Sequence, residues 1–208
     1  VWLNDGTGNF VQGVSLRNPQ GTQTQSTHYS RAAAVGDLNG DGILDVFETV
    51  TNDKADIVWF GDGSGGFTTT EASLESLFDV DGPTVGGSNT HGYGLSVALG
   101  DLDGDGTLDA FVANYGPTNA GGYNWVLLNE EGTGVFTHHQ NLYPDEFVGG
   151  KDASGGVVLG DLDGNGTLDA FVTNWPTGSL PSDNVVWLNK DGDGTFTHSQ
   201  YLGDSNSR

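Results

Sequence analysis

Three nine-residue stretches, Asp37–Asp45, Asp101–Asp109 and Asp161–Asp169, share one pattern: Asp-x-(Asp/Asn)-Gly-(Asp/Asn)-Gly-x-Leu-Asp. Side-chain oxygens at positions 1, 3, 5 and 9, with the main-chain carbonyl of position 7, make an all-oxygen donor set. Calcium is a hard ion that takes six to eight such oxygens at about 2.3–2.6 Å in tolerant geometry. The candidate ligands are Asp37, Asn39, Asp41 and Asp45 around the carbonyl of Ile43; Asp101, Asp103, Asp105 and Asp109 around that of Thr107; and Asp161, Asp163, Asn165 and Asp169 around that of Thr167. Gly at position 6 permits the sharp turn that gathers them. Repulsion among three or four carboxylates would open each loop without metal, so ion binding and loop order are expected to be coupled. The second loop has four carboxylates and the others three, so at equal geometry the second binds tightest. Magnesium fits less well, because it resists a cage made wholly of protein oxygens.

An EF-hand loop begins the same way but needs a bidentate acid at position 12 and flanking amphipathic helices. Position 12 is Glu48, Val112 or Val172, and the flanking residues alternate as strands do. Glu48 is expected to face solvent from its strand. No other residues recur at a catalytic spacing. His28, His91, His138, His139 and His198 form no helical HxxxH pair and no triad-like spacing with Ser. The recurrent carboxylates fall in loops that calcium explains, which leaves a glycosidase pair without separate support. The chain is therefore read as not an enzyme. The sequon Asn165-Gly166-Thr167 lies inside a proposed metal loop, where a glycan would conflict with the ion.

Composition narrows the partners. With 28 acidic and 6 basic residues among 208, the formal charge is −22. Nucleic-acid phosphates and anionic membrane surfaces both call for Lys and Arg, so neither is expected as a partner. Such a charge opposes compaction unless cations offset it, and three divalent ions would bring −22 to −16. The absence of Cys excludes disulfides and thiolate chemistry. No stretch is long and apolar enough for a helical membrane span, and no signal peptide is visible. The chain begins at Val1 without Met, and it is read as a cut from a longer array.

The elements that must hold the loops are repeats. The segments Ala32–Val50, Ser96–Asn114 and Gly156–Asn174 align, their first aspartates (37, 101, 161) standing 64 and 60 residues apart. A second motif interleaves with the first: VWLNDGTGNF at Val1–Phe10, VWFGDGSGGF at Val58–Phe67, VLLNEEGTGVF at Val126–Phe136 and VWLNKDGDGTF at Val186–Phe196. Short apolar runs enter and leave each loop (Val97–Leu99, Ala110–Ala113) and each Gly-rich turn (Trp125–Leu128, Phe136–His139), as strands of hairpins do. Four antiparallel strands per repeat predict one β-propeller blade per repeat, about three and a half blades in all. Residues 1–208 are read as one domain: a partial repeat at 1–27, repeats at about 28–67, 91–136 and 154–196, and a partial repeat at 197–208. Glu71–Phe78 is the one stretch with helical character. Gln20–Ser30, Asp79–Thr90, Pro117–Gly122 and Pro176–Asn184 read as surface loops of variable length.

The pairing of GDLDGDGTLDAFVAN with VWLNDGTGNF resembles the FG-GAP/VCBS repeats of integrin-α-like β-propellers, found in bacterial extracellular proteins and some fungal lectins. The resemblance covers nearly the whole chain outside the insertions. It implies a calcium ion in the Asp-rich loop between two strands of a blade, on the ligands named above. It also implies a ring of about seven blades, of which this chain has half.

Within the second motif, Asp5, Asp62, Glu131 and Asp191 lack a ninth-position acid and read as hairpin turns rather than metal loops. Phe10, Phe67, Phe136 and Phe196, with Trp2, Trp59, Leu127 and Trp187, read as core between blades. Trp175, Tyr115, Tyr123 and Trp125 lie at or near variable loops and are candidates for ligand contact. The resulting expectation is a calcium-stabilised extracellular or cell-surface scaffold with a structural or adhesive role and three calcium sites. It would meet a protein or glycan ligand through its variable loops. The alternatives are a lectin-like glycan-binding propeller and a self-assembling filament joined through unpaired blade edges.

Overall fold

The computed structural model describes residues 2–13, 29–51, 56–69, 93–115, 123–142, 153–175 and 183–203. They form fourteen strands and one short 3-10 turn at Glu130–Gly132. The strands are β1 (Trp2–Asn4), β2 (Phe10–Gln12), β3 (Tyr29–Gly36), β4 (Asp45–Thr51), β5 (Ile57–Gly61), β6 (Phe67–Thr68), β7 (Tyr93–Gly100), β8 (Asp109–Tyr115), β9 (Asn124–Leu128), β10 (Thr137–Leu142), β11 (Ala153–Gly160), β12 (Asp169–Trp175), β13 (Asn184–Leu188) and β14 (Thr197–Leu202). The stretch Glu71–Phe78 and most of each long insertion lie outside the described residues.

Every pairing is antiparallel, and the repeats each make a four-stranded meander: β3-β4-β5-β6, β7-β8-β9-β10 and β11-β12-β13-β14. These are three propeller blades, and β1 pairs β2 as the outer half of a further one. A single bridge, Ala153 to Tyr115, joins the second and third blades into one continuous sheet. The inner strands β3, β7 and β11 lie side by side. In each inner pair the register slips once at an equivalent place (Ser30/Ala32, Gly94/Ser96, Ser154/Gly156), a bulge conserved from blade to blade.

Blades stack face to face, and that explains the apolar runs. β8 is buried from Asp109 through Asn114, since both its faces are covered, so its sequence is continuous rather than alternating. Two cores result. One lies between the first and second blades, around Leu38, Phe47, Val58, Val112, Leu127 and Phe136. The other lies between the second and third, around Leu102, Phe111, Val126, Val172, Trp187 and Phe196. The second-motif Phe of the second and third blades meets the β-strand Phe of the preceding one edge to face. Phe136 sits 5.2 Å from Phe47, and Phe196 sits 5.4 Å from Phe111, between ring centroids.

Core placement follows the expectation for Trp59, Trp187, Leu127, Phe136 and Phe196, all buried. Phe67 is half-buried. Trp2 and Phe10 depart from it, being 66% and 60% exposed. Their strands form only the outer half of a blade, and no described strand covers that face. Glu48 also departs from expectation. Its carboxylate accepts hydrogen bonds from the Ser30 hydroxyl and, at 2.6 Å, from the Trp59 indole N–H, so it is half-buried rather than solvent-facing. The second-motif turns are hairpin turns as expected, closed by Asp5 N–H to Asn9 carbonyl and Asp62 N–H to Gly66 carbonyl, each at 3.0 Å.

Candidate metal centres

Each Asp-rich loop joins the first and second strands of a blade, β3 to β4, β7 to β8 and β11 to β12. Strand polarity puts these loops and the second-motif turns at one end of the sheets. Thr51, Tyr115 and Trp175, which precede the insertions in sequence, end their strands at the opposite one, the insertion end.

Inside a loop, backbone N–H groups point at the carboxylates. The position-1 Asp caps three of them in the first loop: Asp37 accepts from Gly40 at 2.8 Å, Asp41 at 3.2 Å and Gly42 at 2.9 Å. Asp101 and Asp161 accept from the equivalent glycines, at 2.7 and 3.1 Å in each loop. Position 3 accepts from the N–H of position 5, and position 5 from that of position 7, in all three copies. Glycine is required at position 4 as well as position 6: Gly40 and Gly42 have φ of 74° and 81°, and the other loops repeat this. The pattern shows that second glycine plainly, but its role there emerges only with the backbone.

Position 9 holds loop and sheet together. Asp45, Asp109 and Asp169 are fully buried. One oxygen of each accepts from the N–H of position 2 in its own loop (Leu38 2.9 Å, Leu102 2.8 Å, Leu162 2.8 Å). The other accepts, at 2.9 Å each time, from the residue that follows the third strand or ends it: Gly61, Asn129 or Asn189. Burial pushes the Asp109 carboxyl up to about 6, with the charges of Asp103 and Asp105 adding to the rise while the N–H groups of Asn129 and Leu102 oppose it.

The structure brings some predicted ligands together and turns others aside. One oxygen each of Asp101, Asp103 and Asp109 lie within 4.8 Å of one another, as do those of Asp161, Asp163 and Asp169. The first loop has Asn39 in place of the third acid, so Asp37 and Asp45 are its equivalents of that triad. Position 5 faces its neighbour: Asp105 accepts from the Thr107 N–H and hydroxyl, each at 2.7 Å, which holds its carboxyl below the usual range. Asn165 does the same with Thr167, and Asp41 accepts from the Ile43 N–H at 2.8 Å. An oxygen-only set with a fully buried carboxylate at its base, held by two backbone N–H groups, is chemistry that fits a hard divalent cation.

A residue that the pattern reading passed over links each loop to the next blade. The Asn129 amide donates to the carbonyl of Leu38 at 2.8 Å, and the Asn189 amide to that of Leu102 at 2.7 Å, both buried and both spanning a blade junction. The Asn that closes VWLN and VLLN was the available signal.

The ligand-contact candidates separate. Trp175 is 56% exposed. Tyr115 lies in a row with Tyr93 and Trp175, set by the pairings Tyr93–Tyr115, Tyr115–Ala153 and Ala153–Trp175. This row is at the insertion end. Trp125 instead packs against the core between the first two blades, and Tyr123 lies beside it on the same segment, half-buried.

Fold and loops together define a β-propeller-type repeat protein with one acidic loop per blade. A model of the FG-GAP-like repeat matches residues 37–112 and 101–172, and the chain belongs to that family. It is 26% identical over 177 residues to integrin alpha-4 of Xenopus laevis, a match covering 81% of this chain and 16% of that protein. Among solved structures it is similar to an Agrocybe aegerita lectin described as recognising non-reducing terminal N-acetylglucosamine. There the TM-score is 0.50 at 23% identity, over 99% of this chain and 46% of the lectin chain, a likeness of fold. The chain thus spans under half the length of each. Among the described residues, no helix is long and apolar enough to cross a membrane.

Proposed function

We propose that this chain is a non-catalytic, calcium-stabilised extracellular scaffold, one of whose ends carries the ions and the other the ligand-contacting loops. One observation carries the reading: the position-9 aspartates are fully buried and each joins its loop to the third strand of the blade. A cation held by Asp37, Asn39 and Asp45, by Asp101, Asp103 and Asp109, or by Asp161, Asp163 and Asp169 would offset that buried charge where the blade's strands meet. The outer members, Asp41, Asp105 and Asn165 with the carbonyls of Ile43, Thr107 and Thr167, would complete the oxygen shell. Extracellular calcium, near millimolar, suits such sites. Calorimetry should show three calcium ions per chain, and chelation should lower the melting temperature. No heat of binding and an unmoved melting temperature would remove the reading.

A second reading concerns the ligand. The row of Tyr93, Tyr115 and exposed Trp175 supports glycan contact at the insertion end, where aromatic faces can stack on sugar rings. Binding on a glycan array in calcium, lost in Trp175→Ala, is the expected result; a blank array leaves a protein ligand.

A further inference from the structure

Asn-Gly is the step at which an asparagine side chain most readily closes on its own backbone, because glycine leaves the following amide nitrogen uncrowded. The sequence has two such steps, Asn39-Gly40 and Asn165-Gly166, and both fall inside acidic loops. The structure treats them differently. Asn39, at position 3, is half-buried, and Gly40 packs near the turn of the second blade, where an added Cβ would stand 3.8 Å from the Gly132 carbonyl oxygen. The Asn39 amide is held at both ends by one residue. Its Oδ1 accepts from the Asp41 N–H at 3.0 Å, and its Nδ2 donates to the Asp41 carboxylate at 3.1 Å. Asn165 stands at position 5. Positions 5 and 6 are exposed in all three loops, including the two that a following blade covers, so the exposure of Asn165 and Gly166 belongs to the loop itself. A Cβ at Gly166 would meet nothing within 4 Å, as at the equivalent Gly42 and Gly106.

Around Asn165 stand the groups that ring closure needs. Its Oδ1 accepts from the Thr167 N–H at 2.8 Å and lies 2.6 Å from the Thr167 hydroxyl, whose proton it shares with the Asn189 carbonyl, also at 2.6 Å. Donors so placed draw charge from Cγ and hold the oxyanion that forms when it is attacked. The nucleophile is the Gly166 nitrogen, which donates its hydrogen to the Asp161 carboxylate at 3.1 Å, within the reach of a general base. The leaving amide nitrogen is held weakly, by the Lys190 carbonyl at 3.5 Å. The product also has a place. With aspartate at position 165 the third loop would read DLDGDGTLD, the sequence of the second, where Asp105 accepts from the Thr107 N–H and hydroxyl at 2.7 Å.

We propose that Asn165 is a self-deamidation site, whose reaction turns the third acidic loop into a copy of the second. The Gly166 nitrogen attacks Asn165 Cγ; the N–Cγ bond forms and the Cγ–Nδ2 bond breaks. The Gly166 proton passes through Asp161 to the departing nitrogen, which leaves as ammonia. Solvent water then opens the succinimide ring at Cγ and leaves aspartate. Asparagine and water thus become aspartate and ammonia, and the formal charge moves from −22 to −23. One consequence rests on the calcium reading of the loops: the third site gains a fourth carboxylate and tightens.

Ageing the chain in neutral buffer with physiological salt and no added calcium, folded and in urea, tests the proposal when peptide mapping by mass spectrometry follows both Asn-Gly steps. In the folded chain Asn165 should convert at least about tenfold faster than Asn39, a fraction of the ~10²–10³ that one oxyanion donor contributes in enzymes. In urea the two should convert alike. The mapped product should be aspartate. Water opening the ring at the main-chain carbonyl gives isoaspartate instead, whose longer backbone could not close the turn. A folded chain in which Asn165 stays intact, converts no faster than Asn39 or yields only isoaspartate overturns the proposal. So does an equal preference for Asn165 in urea, which would place the cause in the sequence rather than the fold. Calorimetry of the Asn165→Asp chain tests the consequence. Calcium should bind its third loop at least about tenfold tighter than in the parent, as one more unit charge beside a divalent ion gives even at the dielectric of water. An unchanged affinity overturns that consequence alone. No binding by either chain removes the calcium reading and leaves the deamidation result standing.

Discussion

Asp56→Asn should stabilise the protein in neutral solution and do so less as the pH falls. Asp56 is buried and uses one carboxylate oxygen to accept the Val50 N–H at 2.9 Å, while the other oxygen is buried without a partner. The equivalent position in the other blades is Asn124 or Asn184, whose amide oxygens accept from Asn114 at 2.9 Å and Asn174 at 3.1 Å. The first blade thus holds an ionisable group where its siblings hold a neutral isostere. Burial, reinforced by the nearby Glu48 charge, raises the Asp56 carboxyl from 3.8 to about 7. A folded-state pKa above the unfolded one means that the fold binds the proton more tightly. The stability this confers is complete below 3.8 and is lost as pH rises through about 7. At about 1.36 kcal/mol per decade, the loss across that window approaches about 4 kcal/mol. Asparagine has no such loss, so the difference in unfolding free energy, variant minus parent, should grow by up to that amount between pH 4 and 8 and level off above. Urea unfolding followed by tryptophan fluorescence, at fixed saturating calcium, measures it. Titration of the metal loops is common to both proteins and cancels in the difference. A difference that stays flat from pH 4 to 8 refutes the reasoning, whatever its absolute size.

Three further expectations follow from the junctions and turns. Asn129→Ala strips the Leu38 carbonyl and the Gly134 N–H of their partner at a buried site, and denaturant unfolding should show a loss of about 2–4 kcal/mol. Phe136→Ala opens a cavity against Phe47 and should cost about 3–5 kcal/mol, whereas Phe10→Ala, at the equivalent but exposed position, should cost the monomer under about 1 kcal/mol. Glu131, the non-glycine residue with positive φ (63°) among those described, sits in a second-motif turn; Glu131→Gly should raise stability by up to about 1 kcal/mol in thermal unfolding.

Much of the fold is legible in the chain because its signals are local. Nine-residue loops, Gly-rich turns and short apolar runs each specify a piece of backbone from its neighbours in sequence, and repetition removes the ambiguity that a single copy leaves. What stays hidden is set by contacts between blades. The Asn129 amide reaches Leu38 across 91 residues and the Asn189 amide reaches Leu102 across 87, so no window of sequence contains both partners. The clamp on Glu48 is similar in kind, since Ser30 and Trp59 come from strands on either side of it. The acidic loops show the same division. Their donor set can be read from spacing, but the burial of Asp109 depends on what the loop packs against.

The three loop leucines make the point sharpest. Leu38, Leu102 and Leu162 occupy one position of one motif, yet the first two are buried and the third is 51% exposed. Nothing in the local sequence distinguishes them: a following blade covers the first two, and no described residue covers the third. In a stack where each unit touches only its neighbours, a motif determines the faces of a blade, and the environment of those faces is decided one blade away. The metal loops inherit this dependence. Asp101 and Asp103 are half-buried where their loop meets the turn of the third blade, and Asp161 and Asp163 are exposed among the described residues.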